Sequence, residues 1–351
     1  MSNEPKKKPG LLERLAEGPV LCAEGYVFEL ERRGYLQAGA FVPEVLLDHP
    51  NAVLELHREF LRAGSDVVEA LTYYAHRDKL RLVGREDDLE SINREALKIA
   101  RNAADESNAL VAGNICNTNV YIPANSDSVK SVRQMFEEQV QWAMDAQVDF
   151  IIGETFAFLE EALIALDVIK KAGAIAVVTL AIHKNGKTRD GHSPTEACRR
   201  LRDAGADVVG LNCMRGPGTM LPLLEKVRKT VEGPIAALPV PYRTTRSEPT
   251  FQSLTDPVGP PTPHGRPFPT ALDPLTCTRY EIAEFTRQAR DIGVEYLGLC
   301  CGAGPHHVRS MAEALGRKPP ASKYSPDMSK HYSLGTDSNL LREYQDFKQD
   351  L

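Results

Sequence analysis

Short, nearly continuous apolar runs recur along this chain, and stretches with the three-to-four-residue apolar spacing of an amphipathic helix lie between them. Val20-Leu21-Cys22-Ala23-Glu24-Gly25 is the first run, Asp66 to Leu71 the second, Ala109 to Gly113 the third and Phe150 to Glu154 the fourth. Ala174 to Ile182, Val208 to Cys213, Pro234 to Pro239 and Val294 to Cys301 continue the series. Runs that are apolar throughout, instead of alternating, fit strands buried on both faces of a parallel sheet. Helical patterns fill the gaps: a turn at Leu11 to Leu15, then Pro43 to Ala63, 87 to 106, Ser128 to Ala146, Leu159 to Ala172, Ser193 to Ala204, Met220 to Val231 and Thr278 to Ile292. Pro43 suits a first turn and Gly64 a stop, while Ser193 with Glu196 three residues later makes a capping box. A Pro- and Gly-rich loop over about 241 to 272 interrupts the rhythm before the last beat.

Eight strand–helix beats predict an α/β fold, a (β/α)8 TIM barrel. The expected division is a disordered tail over 1–9, a single barrel domain over 10–318 and a short C-terminal extension over 319–351. A doubly wound sheet would carry a Gly-rich phosphate loop after its first strand, and none follows Gly25. In a barrel the chemistry gathers at the C-terminal ends of the strands, where this chain's unusual polar residues fall.

Three of those residues are thiols. Cys300 and Cys301 follow the eighth run and meet Gly302, and Cys213 follows Asn212 at the end of the sixth. Neighbouring side chains on a regular strand point to opposite faces, so Cys300 and Cys301 share a target only where the strand breaks, which Gly302 permits. Should the strand ends converge, Cys213, Cys300 and Cys301 can hold one Zn²⁺ and leave its fourth position open. The plainer alternative makes them small buried core residues. A zinc with three thiolates is a poor activator of water but suits an incoming thiol, held as thiolate at neutral pH. Such a sulfur attacks carbon, and a methyl on a positive nitrogen or sulfur is its natural electrophile.

Glu154 ends the fourth run and can take a substrate ammonium group, or else an ion pair with a barrel arginine. Tyr73 and Tyr74 end the second run, with Tyr26, Phe41 and Phe156 near other strand ends; such rings can cage an onium ion, Tyr74 first among them, or simply pack. Asn117, Asn119 and Asn212 lie near the mouth, able to orient a carboxylate or to satisfy backbone. His306 and His307 are expected to begin the last helix, and Cys22, Cys116, Cys198 and Cys277 to be buried thiols.

The formal charge of −6 over 351 residues argues against a nucleic-acid or anionic-membrane surface. The Lys6-Lys7-Lys8 run is expected to be a solvated tail, and the final Lys348-Gln349-Asp350-Leu351 carries no targeting meaning. No apolar stretch is long enough to cross a bilayer, and the N-terminus lacks the apolar core of a secretory signal. Seven scattered cysteines match a reducing, cytoplasmic protein better than a disulfide framework.

At these residues the chain resembles the zinc-dependent homocysteine S-methyltransferases, and within them the betaine–homocysteine enzymes. The likeness runs from about Gly10 to Ser322 and rests on Leu12-Glu13-Arg14-Leu15, Leu30 to Tyr35, His57 to Gly64, Asn212-Cys213 and Cys300-Cys301-Gly302 with Pro305. The resemblance implies one zinc per chain on Cys213, Cys300 and Cys301, homocysteine sulfur as fourth ligand, and methionine as product. It implies that Glu154 holds the homocysteine ammonium and that Tyr74 contacts the methyl donor. Two departures stand out. The family's first strand ends Asp-Gly-Gly or Asp-Gly-Ala where this chain has Ala23-Glu24-Gly25, which makes Glu24 the candidate replacement anchor beside Gly25. The betaine enzymes carry Trp-Thr where this chain has Phe41-Val42, which leaves an aromatic donor pocket without the hydroxyl. Those enzymes also extend through a long arm around a partner subunit, so the short C-terminus leaves a homo-oligomer open. The expected activity is methyl transfer from a betaine-like onium donor to homocysteine, with Phe41, Tyr73 and Tyr74 flanking the donor. The alternatives are a sulfonium donor, another thiol acceptor, or a zinc-bearing barrel that only binds.

Overall fold

The computed structural model describes residues 8–263 and 265–349. Lys6, Lys7 and most of the tail expected over 1–9 lie outside the described residues, as does the end of the Lys348-to-Leu351 segment. Eight parallel strands form a closed ring in chain order: β1 (Val20–Ala23), β2 (Val67–Glu69), β3 (Leu110–Cys116), β4 (Phe150–Phe156), β5 (Ala176–Leu180), β6 (Val208–Asn212), β7 (Ile235–Leu238) and β8 (Tyr296–Leu299). β8 pairs back onto β1 with Cys22 opposite Gly298, which closes the expected (β/α)8 barrel.

Side chains alternate between the lumen and the helix-facing surface along each strand. The lumen set includes Val20, Cys22, Val67, Leu110, Phe150, Ile152, Val177, Val208, Leu238 and Tyr296, closed from beneath by Leu11 and Leu15 of the helix Leu11–Glu17. The outward set packs against the ring of helices in a larger cluster with Leu56, Phe60, Phe136, Leu166, Leu224 and Phe285. Fully burying one such side chain contributes about 1.5–3 kcal/mol, so two continuous shells hold the ring closed.

The foot of the barrel follows a rule of its own. An acidic residue stands just before each even-numbered strand and accepts the first N–H groups of the odd strand beside it. Asp66 accepts from Leu21 at 2.8 Å, Asp149 from Val111 at 2.7 Å, Asp207 from Ala176 at 2.8 Å and Glu295 from Ile235 at 3.0 Å. Each also faces a cation: Arg317, Lys8, Lys170 and Arg228 respectively. These half-exposed pairs add little themselves, and the bonds to strand N–H groups set the register.

The helices depart from expectation in two places. Pro43 to Ala63 is not one helix: it splits into Val45–Asp48 and Pro50–Ala63, with His49 thrown to φ −143°, because a residue before proline is pushed out of the helical region. Tyr26–Arg32 forms a helix that the apolar run Tyr26-Val27-Phe28 conceals, since it continues the first strand without a break in pattern. Ser193 caps its helix through a bond from the Glu196 N–H, but the Glu196 carboxylate pairs with His192 Nδ1 and leaves the expected capping box half formed. His306 and His307 lie in the first turn of Pro305–Ala314, as expected. No described helix is long and apolar enough to cross a membrane.

Candidate metal and substrate site

β6 ends at Asn212 and β8 at Leu299, so Cys213 and the Cys300–Cys301 pair stand just beyond their strands at the same mouth of the ring. Cys213 Sγ lies 4.0 Å from Cys301 Sγ, and Cys300 Sγ lies 3.8 Å from Cys301 Sγ. All three sulfurs fall within 4.8 Å of one another. Ligands about 2.3 Å from one ion at tetrahedral angles are separated by about 3.8 Å. The three thiols therefore span three corners of such a shell, and the donor set fits a metal ion. As thiols without an ion, Cys213 and Cys300 hydrogen-bond to Cys301 and bring its pKa down to about 5.

Local backbone geometry makes this convergence possible. Cys213 and Met214 both lie in the left-handed region at φ +55°, which turns the sulfur off the β6 line. Phe41, Tyr74, Asn119 and Thr155, also near strand ends, have φ between +53° and +61°. Strain of this kind costs on the order of 1–3 kcal/mol per residue and persists where surrounding structure enforces it. Gly302, at φ +93°, turns the chain directly after the thiol pair, and a Cβ there would collide with the Tyr242 hydroxyl. Arg32 pins that turn by donating to the Gly302 carbonyl and to Tyr242 Oη, each at 3.2 Å. Gly25 touches the same turn, since a Cβ on it would strike the Ala303 carbonyl.

Beneath the sulfurs the lumen turns polar. Glu24, Glu69 and Glu154 line one cavity together with Tyr73, Cys300 and Cys301. Glu154 is fully engaged. Asn114 Nδ2 donates to its Oε1 at 2.6 Å, Asn212 Nδ2 to its Oε2 at 2.8 Å, and Thr155 Oγ1 to Oε2 at 2.9 Å. Asn212 Oδ1 also accepts the Thr155 N–H at 2.9 Å, which fixes the irregularity where β4 slips register against β5. One asparagine thus aims the carboxylate while its chain neighbour, Cys213, supplies a sulfur. Asn114 also donates to Glu69 Oε1, and Glu69 Oε2 and both Glu24 oxygens have no hydrogen-bond partner among the described residues. Burial, then repulsion from Glu154, pushes the Glu24 and Glu69 carboxyls well above the usual carboxylate range. Glu154, buried but held by its three donors, rises to about 7.

The ring positions separate Tyr73 from Tyr74. Tyr73 lines the cavity with the carboxylates, and Asn117 reaches its hydroxyl at 3.4 Å. Tyr74 packs against Tyr73 at 4.2 Å between ring centroids, and the Lys79 ammonium sits 4.0 Å over its ring. Phe41 stacks on Phe28 at 5.5 Å, the start of an aromatic row that continues to Phe251 and Tyr242. Neither Tyr74 nor Phe41 borders the carboxylate cavity. Of the remaining thiols, Cys22 lies within 4.8 Å of ligand atoms of Glu24 and Glu69, and Cys116 Sγ accepts the Tyr74 N–H at 3.3 Å.

The sequence pattern passed over Glu69 and Asn114. Both interrupt buried apolar runs, and a charged or amide side chain there carries a desolvation cost that is itself a signal. Chemically the mouth offers a three-sulfur metal shell, a buried carboxylate fixed by three donors, and an aromatic wall within one cavity.

The homocysteine S-methyltransferase family model matches residues 24–315. The chain is 38% identical over 346 residues to betaine–homocysteine S-methyltransferase 1 of Rattus norvegicus, across 94% of this chain and 80% of that protein. It is 35% identical over 346 residues to the S-methylmethionine–homocysteine S-methyltransferase of Pongo abelii, across 95% of this chain and 88% of that protein. The fold superposes on the metallated form of the homocysteine methyltransferase MmuM from Escherichia coli with a TM-score of 0.67, at 18% identity, over 86% of this chain and 99% of that one. The chain belongs to the homocysteine S-methyltransferase family: it is an S-methyltransferase, and homocysteine that gains a methyl on its sulfur is methionine.

Proposed function

We propose that Cys213, Cys300 and Cys301 hold one zinc ion, that Glu154 receives the ammonium group of homocysteine, and that the methyl comes from an onium donor. The observation that carries this reading is the meeting of three sulfurs, 3.8 and 4.0 Å apart along the chain Cys300–Cys301–Cys213, directly above a buried carboxylate. Zinc, when bound, lowers the proton affinity of an incoming thiol and presents it as a nucleophile. The chain's own residues do the rest. Asn114, Asn212 and Thr155 aim Glu154, so the acceptor is oriented through its amino group, with Glu24 as a second anchor beside Gly25. The new S–CH₃ bond forms as the donor's C–N or C–S bond breaks, and the leaving amine or sulfide keeps the electron pair. Charge is lost in that step, so a site shielded from water favours it. Tyr73 supplies the aromatic face that shares the cavity with Cys300 and Cys301, and Tyr74 and Phe41 shape the approach to it.

Residues 10–318 form the catalytic barrel in this reading, and 319–351 are an extension outside it. Seven unpaired thiols, three of them needed reduced, suit the cytoplasm. The two named relatives use different donors in name, betaine and S-methylmethionine, at similar identity, so overall likeness leaves the donor open. The test is zinc content together with methionine formation from homocysteine across several onium donors. Methionine formed with one zinc per chain is the expected result. A Cys300→Ala protein that retains full zinc, or a wild-type enzyme inert with every donor, would overturn the reading.

A further inference from the structure

The two tyrosines at the mouth stand on a turn that the backbone would not adopt unaided. β2 ends at Glu69, and the Ala75 N–H returns to the Thr72 carbonyl at 3.0 Å, so Tyr73 and Tyr74 are the central residues of a four-residue turn. Tyr74 lies at φ +60°, in the third place of the turn, where a positive φ usually selects glycine or asparagine. A bulky residue held there is strained, and it persists only where neighbouring structure enforces it.

The enforcing contacts come from two helices behind the turn. Asn93, in the helix Leu89–Asp105, and Gln139, in the helix Ser126–Asp145, are both buried. Asn93 Nδ2 donates to the Ala75 carbonyl at 2.9 Å and to the Leu89 carbonyl at 2.8 Å, which occupies both its N–H groups. Gln139 Nε2 donates to Asn93 Oδ1 at 3.1 Å and reaches the carbonyls of Ala75 and Thr72 at 3.3 and 3.5 Å. One amide pair thus holds the first and last residues of the turn. From the β3 side, the Asn114 carbonyl accepts the Thr72 hydroxyl at 2.7 Å, and Cys116 Sγ accepts the Tyr74 N–H at 3.3 Å. Neither Asn93 nor Gln139 lines the cavity, whereas Tyr73 does. Burying two amides has a desolvation cost that an apolar helix contact would avoid, and these two direct their N–H groups at this turn.

We infer that Gln139 and Asn93 are positioning residues for methyl transfer, fixing the turn so that the Tyr73 ring faces the cavity beside Cys300 and Cys301. This rests on the proposed function, in which that ring meets the onium donor, and adds what holds the ring in place. A turn released from the pair relaxes at Tyr74 and carries its neighbour's ring with it. Misplacement on the order of 1 Å, caused far from the chemistry, can cost up to about 100-fold in rate.

Gln139→Met keeps the length of the side chain and removes its donors. Zinc content, KM for homocysteine, and KM and kcat for an onium donor that the wild type uses are measured in both proteins. The donor KM is expected to rise by roughly five- to tenfold, the scale of one buried hydrogen bond, while zinc content and the homocysteine KM stay within about twofold. On a Tyr73→Leu background the same change should move the donor KM by less than about twofold, because the effect passes through that ring. A Gln139→Met protein with lowered thermal stability and an unmoved donor KM overturns the inference, since that is what a plain packing role gives. Loss of zinc, or a parallel rise of both KM values, overturns it too by making the pair a brace for the whole mouth. So does a full-sized effect on the Tyr73→Leu background. Should Gln139→Met fail to fold, Thr72→Val removes one bond from the same turn at the same shape, and the same split between the two KM values decides. A wild type inert with every onium donor brings down the proposed function and this inference together, whereas an active wild type with an unmoved split brings down this inference alone.

Discussion

The two ends of this barrel handle their acids in opposite ways. At the foot, Asp66, Asp149, Asp207 and Glu295 each accept a strand N–H and face a cation, so every charge is answered from within the fold. At the mouth, Glu24, Glu69 and Glu154 have amide and hydroxyl donors at most, and no basic side chain lines their cavity among the described residues. The left-handed residues Phe41, Tyr74, Asn119, Thr155, Cys213 and Met214 gather toward the mouth as well. The difference teaches where the free energy goes. The foot's acids fix the register of the ring, while the mouth's acids are held at a desolvation cost beside the sulfurs, where the chemistry of a barrel gathers.

The contrast can be broken at either end. The largest effect is expected at the sulfurs. Cys300→Ala should empty the metal site and lower turnover by more than the roughly 100-fold that loss of a supporting outer group costs, with metal analysis and methionine assays as the readouts. Glu154→Gln keeps the shape but removes the charge that meets the acceptor ammonium. Its kcat/KM for homocysteine should fall by roughly 10- to 100-fold, the scale of one charged hydrogen bond, with zinc retained. If zinc is lost as well, the carboxylate and the sulfurs are one structural unit and not two functions.

At the foot, Asp207→Ala removes the acceptor of the Ala176 N–H and the partner of Lys170. Stability should fall by about 1–3 kcal/mol in denaturant unfolding, with KM and zinc content unchanged. Altered kinetics there would erase the division between the two ends. A third solution, in the helical layer, gives the smallest effect at neutral pH. His57 is fully buried beside Tyr26, with neither ring nitrogen hydrogen-bonded, and burial pushes its pKa down to about 3. It stays neutral in the fold but takes a proton in the unfolded chain below about pH 6.5. Its contribution is therefore complete above that pH and is lost as pH falls from there toward 3, by up to about 1.4 kcal/mol per pH unit. His57→Phe should flatten the stability–pH slope by about one proton over that range, read from unfolding curves between pH 7 and 4.5.

Much of the mouth was legible along the chain. Cys213, Cys300, Cys301 and Glu154 close apolar runs, and in a parallel barrel the end of a run is the end of a strand, where polar groups meet a ligand. Glu24 stood out because it stands one residue past the place where the resembling family carries its first-strand aspartate. Glu69 did not, for it sits inside a run with no alternation to show which face is the lumen, and Asn114 lies just past the third run, which the structure extends to Cys116. Tyr73 and Tyr74 are neighbours of the same chemistry, and only the left-handed turn at Tyr74 sends one ring to the cavity and the other beneath Lys79. Pro50 was visible too, yet the helical period across it masked the break at His49.

The order of residues alone settled how many strands there are, that they are buried on both faces, and that thiols and acids stand at their ends, because these follow from local patterns of burial and turning. Which acids share one cavity, which sulfurs come within 4 Å, and which charges stay unanswered were decided by ring closure and strand register. Contacts between residues more than 80 positions apart are set by the twist and stagger of the whole sheet, and no window of the chain contains that information.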